Sequence, residues 1–203
     1  MLFDFLQQVS NVIAPSLLWH MPRSEQAVYL TFDDGPTKEA TEFVLDLLKS
    51  NNAKASFFCI GANVNRYPEL YKRILSEGHR VGNHTMNHRN GWKSGYADYL
   101  HEVNKCRTCV DSNLFRPPYG KLGLRQYWEL RKTYRIVMWD VLSRDFESSI
   151  TPMQCMQRVE KRIEPGSLLV FHDSERCFPL LQEVLPSIIE LIKRQGLAMK
   201  PLL

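Results

Sequence analysis

The sequence predicts an α/β fold, a parallel sheet of about seven strands covered by helices. Short apolar runs that read as buried strands recur along the chain: VYLTF (28–32), ASFFCI (55–60), HRVGN (79–83), LFRP (114–117), RIVMWD (135–140), SLLVFH (167–172) and LAMKP (197–201). Helix-period patterns fill most of the gaps between them. No linker, low-complexity tract or internal repeat interrupts the 203 residues, so one domain over 1–203 is expected. A hydrophobic content of 44% with 24% charged residues suits a globular chain rather than a disordered or membrane-embedded one.

The elements follow in order. Within MLFDFLQQVSNVIAP, residues Leu2, Phe3, Leu6, Val9 and Ile13 share one face and predict a docking helix inside a lead-in over 1–25. The segment has no basic leader region, and Asp4, Gln7 and Gln8 break its apolar run. Neither a signal peptide nor a transmembrane span is expected, and with thiols that suit a reducing compartment the expected location is cytoplasmic. The first strand ends at Asp33-Asp34-Gly35-Pro36, where a turn leads into a helix over 37–50 with Phe43, Val44, Leu47 and Leu48 on its inner face. After the second strand, Pro68 opens PELYKRILSEG and Gly78 stops it. The third strand leads into HTMNH (84–88), and residues 94–110 form a helix through Tyr96, Tyr99, Leu100 and Val103.

The fourth strand leads into RPPYG (116–120), and a shorter helix covers 124–133. The fifth strand is followed by Asp140 and Asp145. Thr151 is an N-cap with Pro152 at the first helical position. The sixth strand ends in His172-Asp173, and the last helix, near 178–195, is expected to kink or split at Pro186. Five cysteines, an odd number, argue against a disulfide framework. Cys106 and Cys109 lack a second CxxC or a flanking His, and read as ordinary thiols on a helix.

Ligands of parallel α/β folds bind at the C-terminal ends of the strands. Five strand ends here carry ionisable groups: Asp33 with Asp34, His84 with His88, Arg116, Asp140 with Asp145, and His172 with Asp173. His84 and His88 stand at i and i+4, so one helical turn or a tight loop can aim both imidazoles at one ion. Two His and one carboxylate make a catalytic zinc site with a position open for water. His20, His79 and His101 lack such a context and are read as surface or structural.

Adjacent strand residues point to opposite sides, and the Gly35-Pro36 bend is expected to bring both Asp33 and Asp34 to one rim. One would ligate and its neighbour would handle protons. An Asp-Gly turn capped by Thr37 is the plainer alternative, but it needs only one Asp. The net charge of +4 is scattered without a basic run, so a nucleic-acid reading gains little and no nucleic-acid partner is expected, while a basic face would suit an anionic cell-wall polymer.

TFDDG (31–35), HTMNH (84–88), RPPYG (116–120), RDF (144–146) and VFHD (170–173) together resemble the polysaccharide deacetylases in order and spacing. These carry the chitooligosaccharide deacetylase homology domain, or carbohydrate esterase family 4. The resemblance covers residues 28 to about 201. It implies a distorted (β/α) barrel and removal of N-acetyl groups from GlcNAc-containing glycans, peptidoglycan or chitooligosaccharide. An acetylated oligo- or polysaccharide would be the partner, and one divalent ion the cofactor, zinc first, with cobalt or nickel possible.

By the same resemblance Asp33 is the general base, and Asp34, His84 and His88 are the metal ligands. Arg116 orients the base, the Tyr119 N–H is an oxyanion donor, and His172 is the general acid, oriented by Asp145. Phe146 stands where the family has Trp, and Val170 where it has Leu, so the acetyl pocket would differ in shape. Trp92 and Phe146 are candidate substrate contacts, Trp92 because an amphipathic ring can stack on a sugar face. Trp139 is expected to line or support the site, and Trp19 and Trp128 to be structural. An O-acetyl esterase of xylan-like material, a non-catalytic carbohydrate-binding protein and an amidohydrolase of small cyclic ureides are the competing readings.

Overall fold

The structure, a computed structural model, describes residues 14–203. The helix expected over Leu2 to Ile13 lies outside the described residues. Seven strands form one parallel sheet: β1 (Ala27–Asp33), β2 (Ser56–Cys59), β3 (Arg80–Asn83), β4 (Leu114–Phe115), β5 (Arg135–Ile136), β6 (Val141–Leu142) and β7 (Leu168–His172). Their spatial order is β5-β4-β3-β2-β1-β7-β6. The sheet curls into a distorted (β/α) barrel left open between β5 and β6. A short eighth strand, β8 (Ala198–Met199), pairs with the start of β1.

The helices are α1 (Lys38–Ser50), α2 (Gly61–Arg66), α3 (Pro68–Ser76), α4 (Tyr96–Arg107), α5 (Leu124–Leu130), α6 (Pro152–Glu160) and α7 (Phe178–Arg194). None among the described residues is long and apolar enough to cross a membrane.

Central β1 is buried along its whole length, which is why it reads as a nearly unbroken apolar run. Phe32, Phe57 and Phe171 from β1, β2 and β7 pack with Val44 and Leu48 of α1 and Leu185 and Ile188 of α7 in the main core. Strand register then levels the functional ends: Asp33 lies opposite Phe58 on one side and His172 on the other. Thr151 caps α6 through a reciprocal pair of bonds with Gln154. At the start of α1, by contrast, the Thr37 hydroxyl donates to the Asp173 carbonyl instead of capping. The last helix runs unbroken through Pro186, against the expected split. The six residues of α2 went unforeseen, because GANVNR carries no apolar period.

RIVMWD is not one strand. The strand ends at Ile136, a single parallel bridge joins Val137 to Leu18, and β6 forms on the far edge of the sheet. Asp140 therefore leaves the expected cluster. Its Oδ1 accepts from the Leu168 N–H at 2.6 Å, and its Oδ2 from Arg23 at 2.8 Å and Ser167 at 3.1 Å. Leu168 begins β7 and His172 ends it, so Asp140 braces the opposite end of the barrel from His172. Asp145 follows β6 rather than β5, and it is this unforeseen strand that brings it beside His172.

Candidate active site

Backbone geometry decides how β1 presents two carboxylates. Asp33 ends the strand, and Asp34 takes a left-handed φ of 81°. That turn at Asp34 itself accompanies its departure from the strand's alternation, a role the sequence had assigned to Gly35 and Pro36. Gly35 serves close packing instead. A Cβ there would lie 2.0 Å from Asp173 Oδ2. The Gly35 N–H donates to Asp173 Oδ1 at 3.0 Å, and the Thr41 hydroxyl to Oδ2 at 2.6 Å. Burial pushes the Asp173 carboxyl up to about 7 against those two bonds.

The HTMNH segment is a kinked loop rather than a helical turn, with φ of 62° at Thr85 and 54° at His88. Left-handed non-glycine residues are costly and gather where the surroundings over-determine them. The loop aims both imidazoles at one oxygen. Asp34 Oδ1 lies 3.6 Å from His84 Nε2 and 3.2 Å from His88 Nε2. His84 Nδ1 sits 2.8 Å from the Arg116 carbonyl. A carbonyl only accepts, so Nδ1 carries the proton and Nε2 presents a lone pair. Burial, with His84 beside it, brings His88 down to about 4, so its imidazole is neutral near pH 7. Burial acts to raise Asp34, but His84, His172 and His88 outweigh it and hold its carboxyl well below the usual range.

Asp34 Oδ1 is nevertheless buried and makes no hydrogen bond among the described residues. Two nitrogen donors and one orphaned oxygen, their ligand atoms all within 4.8 Å of one another, fit a divalent cation with a coordination position to spare.

Beside this group lies a buried ion pair. Arg116 is fully buried and donates from Nη1 to Asp33 Oδ1 at 2.6 Å and Thr31 Oγ1 at 2.8 Å. Its Nη2 donates to the Met138 carbonyl at 2.8 Å, and its guanidinium lies 4.1 Å from the Phe58 ring centroid. A charge this deep is tolerable only because it is paired and hydrogen-bonded. The result is an immobile Asp33 carboxylate at the pocket wall.

Opposite stands His172. Its Nδ1 donates to Asp145 Oδ1 at 2.7 Å and its backbone N–H to Asp145 Oδ2 at 2.7 Å. Ser143, which sequence reasoning did not single out, donates to Oδ1 at 2.9 Å. The ring is thereby fixed, with Nε2 left for other work. Phe146 packs edge-on against it at 5.1 Å. Burial acts to lower the imidazole, but Asp145, with Asp33 and Asp34, brings it up to about 9. In metal-free protein the His172 NMR titration should therefore have its midpoint near pH 9. Asp145→Asn removes the main charge opposing burial, so the midpoint should fall from there. An unmoved midpoint would show that Asp145 does not set it.

These groups share a cavity of about 410 Å3. Asp33, Asp34, His84, His88, Tyr119, Trp139, Phe146, Val170 and His172 line it, and Arg116 and Asp145 back it through Asp33 and His172. Leu142, Ser174, Arg176 and Cys177 line it as well. None of these four carried a sequence signal, since each reaches the pocket only through β6 pairing or the turn after β7. Tyr119 has φ of 61°, is 59% exposed, and packs its ring 4.6 Å from that of His88.

Trp92 is the one predicted contact that the structure leaves out of the cavity lining. It is 69% exposed and donates from Nε1 to the Leu122 carbonyl at 3.1 Å. Residues 90–93 turn it onto the neighbouring surface instead. His79 is structural as expected: it is buried, accepts from the Ala55 N–H, and is brought down to about 4 by burial.

Comparison with known proteins matches residues 20–136 to the family described as polysaccharide deacetylase. A peptidoglycan-N-acetylglucosamine deacetylase of Bacillus cereus is 34% identical over 160 residues, covering 75% of this chain and 58% of that protein. A second protein of that description from Bacillus cereus is 32% identical over 186 residues, covering 88% of this chain and 87% of its own length. Against the first of these the match spans little more than half the relative's length. Among solved structures, the Bc1960 peptidoglycan N-acetylglucosamine deacetylase superposes with a TM-score of 0.88 at 31% identity, covering 95% of this chain and 94% of that one.

Proposed function

This chain belongs to the polysaccharide deacetylase family, and from that premise we propose that it is a metal-dependent hydrolase removing N-acetyl groups from GlcNAc-containing glycans, peptidoglycan before chitooligosaccharide. The observation that carries the reading is the meeting, in one cavity, of a cation-fitting donor set with a carboxylate and an imidazole on different strands. Asp34, His84 and His88 would hold the ion, zinc first, which when bound supplies Lewis-acid polarisation and a more acidic water.

The remaining work falls to side chains. Asp33, held still by Arg116, accepts a proton from the attacking water. The Tyr119 backbone N–H donates to the oxygen on which charge develops, a contribution of about 3 kcal/mol for one well-placed donor. His172, its Nδ1–H bound by Asp145, donates from Nε2 to the departing amine. An amide nitrogen must be protonated to leave, whereas an ester oxygen needs this less. An imidazole held protonated by Asp145 thus favours N-deacetylation over the O-acetyl esterase reading. A purely carbohydrate-binding protein would have no use for the set.

Metal content and acetate release from peptidoglycan, GlcNAc oligomers and acetylated xylan, with and without chelator, test the proposal. Release from the GlcNAc glycans, lost on chelation and restored by zinc, is expected. Release from xylan alone would establish the esterase. No release from any of them by the metal-loaded protein would favour the binding reading.

A further inference from the structure

On the far side of the 142–147 segment lies a second cavity, of about 490 Å3, with a different character. Arg144, Arg158, Lys161 and Arg162 line it, and Glu147 is the one carboxylate among the described lining residues. Glu147 is engaged by Arg144, whose Nε lies 3.0 Å from it. Arg158 Nε is shielded from solvent and has no hydrogen-bond partner among the described residues. A shielded guanidinium N–H without an acceptor is rare, because the lost hydration goes uncompensated. Burial lowers the Arg158 pKa, and repulsion from Arg144 and Arg162 adds to that. Like charges gathered in a concavity raise the local concentration of anions.

The two cavities share a wall. Leu142 and Phe146 face the catalytic cavity, while Arg144 and Glu147 face the basic one. Arg144 has a left-handed φ of 63°, at the point where the chain sends Asp145 inward to His172 and leaves Arg144 exposed.

We propose that this cleft is an oxyanion subsite that binds a carboxylate or phosphate substituent of the same glycan whose acetyl group enters the catalytic cavity. The proposal rests on the deacetylase reading for the identity of the glycan, but not for the binding of an anion. The chemistry is that of guanidinium groups, which bind planar or tetrahedral oxyanions through paired N–H donors.

Two measurements test it. First, inorganic phosphate is titrated into the full-length protein and its Arg158→Gln, Arg158→Lys and Lys161→Gln variants, followed by calorimetry. Binding should weaken roughly tenfold in Arg158→Gln, as for loss of one charged hydrogen bond, and less in Arg158→Lys. Lys161→Gln, at an exposed position, should also weaken it and serves if Arg158→Gln fails to fold. Second, KM is compared for acid-substituted and neutral GlcNAc oligomers. Arg158→Gln should raise KM for the acidic substrate alone, and phosphate should do the same to the unsubstituted enzyme.

Phosphate binding unchanged by all three variants, or none to begin with, would overturn the subsite. Equal effects on acidic and neutral substrates would overturn its link to the glycan and assign the cleft to free anions. If no glycan is deacetylated, the phosphate titration still decides whether the subsite exists, and the failure lies with the deacetylase reading.

Discussion

Asp33→Asn should lower kcat for acetate release by about 10^3-fold, within the range that positioned general bases contribute, while leaving one metal ion bound. The amide has the shape of the carboxylate, and its oxygen can still accept from Arg116 Nη1, but it cannot take a proton from water. The metal should stay because Asp34, not Asp33, faces His84 and His88. A second consequence follows from burial. Arg116 would lose its only ionic partner among the described residues and remain a fully buried cation. Stability should therefore fall, by less than the roughly 3–5 kcal/mol for outright removal of one member of a buried pair, because the hydrogen bond survives. Steady-state kinetics, elemental analysis and denaturant unfolding read the three quantities separately. Acetate release within tenfold of normal would place the base elsewhere.

His84→Ala should cost the ion itself. It removes one of three donors and also the Nδ1–H bond to the Arg116 carbonyl, which ties the HTMNH loop to the residue just after β4 that pairs with Asp33. Loss of a supporting residue around a metal ligand costs about 10–100-fold in affinity, so loss of a ligand should cost at least about 100-fold. Zinc titration by calorimetry should show this, with acetate release falling to background at stoichiometric zinc. The fold should survive, since the core of β1, β2 and β7 does not involve His84. One tightly bound ion with normal turnover would remove His84 from the ligand set. The two variants differ in signature: Asp33→Asn should keep the ion and lose turnover, and His84→Ala should lose both.

Much of this site was legible in the chain. Asp33, Asp34, His84, His88, Arg116, Asp145 and His172 could be singled out because a parallel sheet carries its functional groups just beyond its strands. The long helices were legible for a similar reason, since apolar spacing and caps such as Thr151-Pro152 act within a turn or two. Elsewhere the local signal misled. RIVMWD has the composition of one strand but supplies β5 and a brace at Asp140, while the two-residue β6 is too short to leave a pattern. Trp92 follows the histidines closely in sequence, yet in the fold it lies outside the cavity lining.

The sequence by itself determined the chemistry: which side chains are present, most of the longer helices and strands, and the family to which the chain belongs. Tertiary structure alone decided their relations. The left-handed turn at Asp34, the Arg116 carbonyl that selects the His84 tautomer, the β6–β7 pairing that sets Asp145 on His172, and the gathering of Arg144, Arg158 and Arg162 in one cleft all depend on atoms distant in the chain or on backbone angles no local pattern reports. The physical reason is range. Side-chain chemistry and helical period are local properties, whereas hydrogen-bond direction, burial and charge proximity exist only once separate strands are in register.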